Sequence, residues 1–239
     1  MRESAILKFA CSSVAFALAG TLVLSLAGSW SADAARPTEE PVSGVARVLD
    51  GDTLDIGGTR VRLEGIDAPE LGQSCSAPGG GNWPCGATAA SALEKLIGNN
   101  TIECAREGID KYGRTLAVCR AGGRDLNAEM VRAGLAWAFV RYSQRYVAVE
   151  DEARRAARGI WRSATDPAWV YREEQWAGAQ SDAPEGCAIK GNISSKGQIY
   201  HMPWSPWYKR VKVDPSRGER WFCSEADAEA AGWRPALAH

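Results

Sequence analysis

Gly57 and Gly58 stand between "DTLDI" and "TRVRLEGI", two runs in which apolar and polar residues alternate. A glycine pair at that place dictates a two-residue hairpin, because the turns that match strand twist need positive φ at both central positions. With Ile56 facing Thr59, Leu54, Ile56, Val61 and Leu63 share one face, and Arg60, Arg62 and Glu64 share the other. The preceding "VARVL" adds a third strand and makes a meander. Around it crowd Asp50, Asp52, Asp55, Glu64, Asp67 and Glu70, against only Arg60 and Arg62. Acids gathered at strand ends beside an arginine suit a hard cation held against a phosphate. Strand parity separates Asp52 from Arg62, so the two address one ligand only if a bulge or barrel curvature brings them round.

The rest of the chain extends this pattern. "LGQSCSAPGGGNWPCG" is too rich in glycine for a regular element and reads as a loop. "ATAASALEKLIG" repeats apolar residues at helical spacing and stops at Gly98. Strands are expected over 101–106 and 114–120, joined by "DKYG", then a short helix in "LNAEMVRAG". A third helix is expected in "SQRYVAVEDEARRAARG", with Ser143 as N-cap and Gly159 at its stop. Five short strands with three helices define an α+β chain built on a small OB-type barrel. The expected organisation is a polar tether over 36–44, a barrel domain over 45–162, a linker over 163–186 and a small C-terminal module over 187–239. That module has a hairpin-like start, a strand at "RVKV" and a closing helix after "WFCSE".

Residues 1–35 are set aside as a secretory signal. Arg2 and Lys8 precede the apolar run "VAFALAGTLVLSLAG", and an Ala-x-Ala site lies near Ala32 to Ala34. The expected location is periplasmic or secreted, with no stable membrane insertion after cleavage; an uncleaved anchor is the alternative. Removal of the leader discards Cys11 and leaves Cys75, Cys85, Cys104, Cys119, Cys187 and Cys223, an even set in an oxidising compartment. Sequence proximity suggests 75–85, 104–119 and 187–223 among the possible connectivities. The middle pair follows from geometry as well, since a turn centred between Lys111 and Tyr112 sets Cys104 opposite Cys119. For Cys187, His201 and Cys223 a zinc site lacks a CxxC pair and a clear fourth ligand, so a disulfide is preferred.

"DGDT" (50–53), "VRLEGIDAPE" (61–70), "DKYGR" (110–114) and "LNAEMVRAGLAW" (126–137) together resemble the signatures of the staphylococcal (micrococcal) nuclease, or thermonuclease, family over about 45–162. The resemblance implies an OB barrel with three helices and a calcium-dependent endonuclease that hydrolyses DNA and RNA. It implies Asp52, Asp67 and the backbone carbonyl of Ala68 as calcium ligands, and Glu70 as the group that activates water. Arg62 and Arg114 would clamp the scissile phosphate. Lys111 and Tyr112 match positions beside the nucleotide, and Phe139 or Tyr142 of "AFVRY" would take the stacking role. The tail is similar to small accessory modules on exported bacterial nucleases.

The chemistry agrees with that resemblance on its own terms. A hard divalent cation flanked by guanidinium groups stabilises the extra charge of a phosphorane-like state without histidine. The chain beyond the leader carries only His201 and His239. The formal net charge of −1 excludes a uniformly basic nucleic-acid magnet. "DGDTLD" is not an EF-hand, because Val61 occupies the twelfth position. "APGGGNWPCG" is not a phosphate loop, because no Gly-Lys-Ser/Thr follows. Two rival functions stand beside the nuclease: a barrel that grips nucleic acid without cutting it, and an envelope-attached protein whose C-terminal module carries the main role.

Overall fold

A computed structural model of the chain describes residues 40–236; the leader and its cleavage site, together with His239, lie outside the described residues. The first two strands, β1 (Val42–Gly44) and β2 (Ala46–Val48), are halves of one bent strand interrupted only by Val45. The expected tether over 36–44 therefore overlaps a strand: Val42 to Gly44 pair with Ile102 to Cys104, satisfying an edge that would otherwise be open. The hairpin follows as β3 (Thr53–Ile56) and β4 (Thr59–Leu63), with Ile56 opposite Thr59 and both turn glycines at positive φ. A short β5 (Ile66–Asp67) leads into the glycine-rich loop, which holds a two-stranded ribbon, β6 (Cys75–Ser76) with β7 (Asn82–Trp83).

Helix α1 (Cys85–Ile97) then buries Ala89, Leu93 and Ile97 at helical spacing. It is followed by the long hairpin β8 (Ile102–Ile109) and β9 (Thr115–Ala121), short β10 (Arg124–Asp125) and α2 (Leu126–Arg132), which Asp125 caps by accepting from the Ala128 amide. Strand β11 (Trp137–Ala138) pairs with β5, and α3 (Val147–Arg155) follows. Two details of α3 differ from expectation. Tyr146, not Ser143, occupies the N-cap position, and the turn after the helix is made by Ala157 at positive φ, ahead of Gly159.

The ladder runs β1-β8-β9-β4-β3-β2, with β4 and β9 parallel and the other neighbours antiparallel. Because β1 and β2 belong to one bent strand, the two ends of the ladder meet and the sheet closes into a five-stranded OB barrel. Leu54, Val61 and Leu63 are fully buried inside it, and α1 and α2 add Leu93, Leu126, Met130 and Val131 to the same core. Cys104 faces Cys119 in the β8–β9 register and is bonded to it. The Cys75–Cys85 and Cys187–Cys223 bonds complete the three expected pairs.

The stretch expected as a linker is not one. It holds α4 (Ala168–Asp182), anchored at its start by Ala168, which is buried with Cys75, Cys85, Trp137 and Ile160. Aromatic residues near its start outweigh the Asp, Pro, Ala and Gln that made the composition look loose. The C-terminal sheet follows with β12 (Ile189–Ser194), β13 (Gly197–His201), β14 (Arg220–Phe222) and β15 (Arg234–Pro235), covered by α5 (Glu225–Ala230). Its core is Ile189, Tyr200, Phe222, Ala228 and Trp233. The segment "RVKV" forms no strand: the carbonyl of Val211 accepts from Lys190 Nζ instead of a ladder partner. Arg60, on the outer face of β4, joins the barrel to this sheet by donating to Tyr200 Oη at 3.1 Å and Glu225 Oε1 at 3.2 Å.

The Cys104–Cys119 bond closes a loop with a sequence separation of 15. Replacing both cysteines by serine is expected to lower stability by about 3 kcal/mol, read as a lower denaturant midpoint under non-reducing conditions.

Candidate active site

The site grows from the two ends of the β3–β4 hairpin. Asp52 lies in the bend before β3, where the pleat has not begun, so strand parity does not govern its side chain. Its amide donates to Asp50 Oδ1 at 3.0 Å, and its carbonyl accepts from the Leu63 amide at 2.8 Å, which anchors the bend beside β4. Asp52 Oδ1 thereby meets Arg62 Nη1 at 2.6 Å, and Asp52 Oδ2 accepts from the Ala68 amide at 2.7 Å. Asp67, fully buried at the end of β5, takes Arg62 Nη2 at 2.6 Å. One guanidinium thus bridges two buried carboxylates.

Glu70 enters from the turn that follows Pro69. Its amide donates to Gln73 Oε1 at 3.1 Å, its carbonyl accepts from the Gln73 amide at 2.7 Å, and Gln73 Nε2 reaches the Asp166 carbonyl at 2.9 Å. Gly86 lies so close beneath this turn that a Cβ there would stand 1.7 Å from the Glu70 carbonyl oxygen. Only glycine lets the start of α1 support that turn.

The residue that completes the cluster was not expected. Arg172, from α4, donates through Nη1 to Glu70 Oε1 at 2.7 Å and to Asp67 Oδ1 at 3.1 Å, and through Nη2 to Asp67 Oδ2 at 2.8 Å. No motif in the sequence marks it, because its partners lie roughly a hundred positions earlier. Arg114 does not join them. Its Nε and Nη2 are each 2.7 Å from Asp110 Oδ2, within the β8–β9 turn, and its guanidinium lies 5.3 Å from the centre of the Tyr112 ring. Lys111 flanks the same ring at 4.8 Å. Phe139 is stacked on Trp169 of α4 with centroids 5.5 Å apart, while Tyr142 is 70% exposed beside it.

Two guanidinium groups therefore serve three carboxylates, with Asp50 close by. Burial raises the Asp52 carboxyl above its ordinary range, opposed by Arg62. Glu70 is pushed up to about 8, first by burial and then by Asp50 and Asp52, with Arg172 pulling the other way. Burial opposes the charge of Arg62 and Arg172, but their carboxylate partners outweigh it and hold both firmly protonated. Such a site can bind an anionic group on its arginines, offer oxygen donors to a hard cation, and take up a proton near neutral pH. Among the described residues no three His, Cys, Asp or Glu side chains form a ready cation cage. The donor set of Asp52 and Asp67 nevertheless fits a hard cation in kind, being oxygen alone.

The fold and site together are a closed OB barrel with two buried acids bridged by one arginine beside the β3–β4 hairpin. The chain belongs to the staphylococcal nuclease homologue family, which matches residues 60–163. A second family, ArfC, matches residues 171–235. The succinoglycan biosynthesis protein ExoI of Rhizobium meliloti (strain 1021) is 36% identical over 136 residues, covering 56% of this chain and 71% of that protein. An uncharacterized endonuclease of Escherichia coli is 34% identical over 139 residues, covering 55% of this chain and 84% of that protein. A micrococcal nuclease of Shigella flexneri is 36% identical over 147 residues, covering 54% and 78%. These matches cover little more than half of the chain.

Glu70 provides a pH test of the cluster. A carboxyl raised in the folded state stabilises the fold most below its ordinary 4.5, and that contribution is lost as pH climbs through about 8. In chelator, wild type is expected to lose stability relative to Glu70→Gln across that window, measured by urea unfolding at several pH values. Parallel curves would remove the proton-holding Glu70.

Proposed function

We propose that the chain is an exported, calcium-dependent nuclease that hydrolyses phosphodiester bonds in DNA and RNA. The observation that carries this reading is the convergence of Asp52, Asp67 and Glu70 on shared arginines within a barrel of the nuclease family. Relatives that bear nuclease names support it, and three disulfides support an oxidising compartment. Among the described residues no helix is long and apolar enough to cross a membrane.

In this reading Asp52, Asp67 and the Ala68 carbonyl hold the cation, with modest affinity of about 10⁻⁴ to 10⁻³ M as in extracellular modules. When bound, the cation supplies positive charge for the phosphorane-like state. Glu70 takes the proton of the attacking water, a task suited to a carboxylate whose proton affinity lies near neutrality. Arg62 binds the phosphate through its planar fork, which lysine does not reproduce. Arg114, held by Asp110 in the β8–β9 turn apart from the acids, would serve as the second phosphate arginine only by leaving that pair to meet the substrate. Lys111 and Tyr112 line the nucleotide path, and Phe139 and Tyr142 offer rings to bases.

The test is a calcium titration of cleavage on single- and double-stranded DNA, with a chelator control. Glu70→Gln is expected to lower the rate by about 10² to 10⁴, and a loss under tenfold would remove the proton-transfer role. Arg62→Lys and Arg114→Lys are expected to slow turnover although charge is kept. Binding without cleavage under every condition would favour the non-catalytic barrel instead.

A further inference from the structure

Asp67 is held by more cationic contacts than its neighbours. Arg172 spans both of its oxygens, at 3.1 Å and 2.8 Å, while Arg62 takes a second position on Oδ1 at 2.6 Å. Both lone-pair directions of Oδ1 are thereby used by N–H donors. The same Arg172 Nη1 holds Glu70 Oε1 at 2.7 Å. One fork thus ties down the carboxylate assigned to the cation together with the carboxylate assigned to water.

Arg172 lies outside the residues that match the nuclease family and inside those that match the second family, on a helix that begins just ahead of that second match. That helix is fastened on both sides. Trp169 packs on Trp137 and Phe139, Tyr171 Oη donates to the Gly72 carbonyl at 3.4 Å, and Trp176 contacts Trp204 of the C-terminal region. Positions 169, 172 and 176 fall on one stripe of a helix, so the arginine sits midway between an anchor on the barrel and an anchor on the C-terminal sheet.

We propose that Arg172 is a built-in substitute for the cation at Asp67: its guanidinium and a divalent ion exclude one another, and the ion enters only by drawing Arg172 off both acids. The proposal rests on the assignment of Asp67 as a cation ligand made above. Its physical basis is that Asp67, with both oxygens spanned by Arg172 and Oδ1 also held by Arg62, has no face left on which a third positive charge escapes repulsion. Withdrawal of Arg172 frees Glu70 in the same event, so the ligand and the water-activating group become available together. With Arg172 seated, only the withdrawn fraction of molecules is competent, and apparent cation affinity falls by that fraction. The region after the barrel thereby sets the calcium level at which the site opens.

The experiment is calorimetric titration of calcium into the full chain as wild type, Arg172→Ala and Arg172→Gln, with DNA cleavage followed over the same calcium range. Removal of the competing charge is expected to tighten calcium binding by about 5- to 150-fold, the usual range for coupled sites. A second measurement uses wild type alone, so that misfolding of a variant does not decide the matter. The guanidinium protons of Arg172, slowed by the ion pairs, are expected to exchange faster by nuclear magnetic resonance once calcium is added. Equal or weaker calcium affinity in the variants, or guanidinium exchange indifferent to calcium, overturns the substitution while leaving the nuclease reading intact if cleavage persists. Absence of calcium binding in every form overturns the calcium assignment and the substitution with it.

Discussion

The bridge from Arg62 to Asp52 and Asp67 is the interaction on which the site depends. Asp67 is fully buried and Asp52 nearly so, and a carboxylate taken out of water without a partner is costly enough to change its protonation or disrupt the fold. Arg62 makes both tolerable with one fork. It also ties three separate stretches, the bend before β3, the middle of β4 and the end of β5, into one rigid corner. Replacing such a triad by apolar residues can leave a protein as stable or more so, so its presence here points to chemistry more than to stability.

Around that corner the scaffold is built from close approaches. The bent strand formed by β1 and β2 closes the barrel, which fixes how β4 lies against β9. The Gly86 contact beneath Glu70 and the Gln73 bridge to Asp166 then hold the loop that carries the third acid. These contacts explain why a loop rich in glycine presents a carboxylate in a defined place. The Cys75–Cys85 bond packs against Trp137, Ile160 and Ala168, so it stiffens the same loop and seats the first turn of α4.

The two family matches meet at this place. The barrel portion supplies Asp52, Arg62, Asp67 and Glu70, and the helix that runs into the second matched region supplies Arg172. Arg60, on the opposite face of β4 from the core, reaches Tyr200 of the C-terminal sheet and Glu225 of the helix that covers it. The charge balance at the acids is consequently a property of the whole described chain, with two guanidinium groups set against three carboxylates and burial pushing the carboxyls of Asp52 and Glu70 toward holding a proton.

Local rules reached far in this sequence. Gly57 and Gly58 determined the hairpin register, alternation determined that Leu54, Val61 and Leu63 point inward, and the turn at Lys111 and Tyr112 determined that Cys104 meets Cys119, because each of these follows from backbone geometry within a few residues. The ordered motifs likewise marked Asp52, Arg62, Asp67 and Glu70, and the barrel gathers all four. Three matters were left to the tertiary structure. Asp52 and Arg62 meet despite strand parity, because Asp52 lies in a bend outside the pleat. Arg114 turns to Asp110 four residues away, since a partner in its own turn is available without any long-range folding. Arg172 reaches acids roughly a hundred positions earlier because aromatic contacts dock its helix, and side-chain burial of that kind leaves no periodic trace from which partners so distant in the chain can be read.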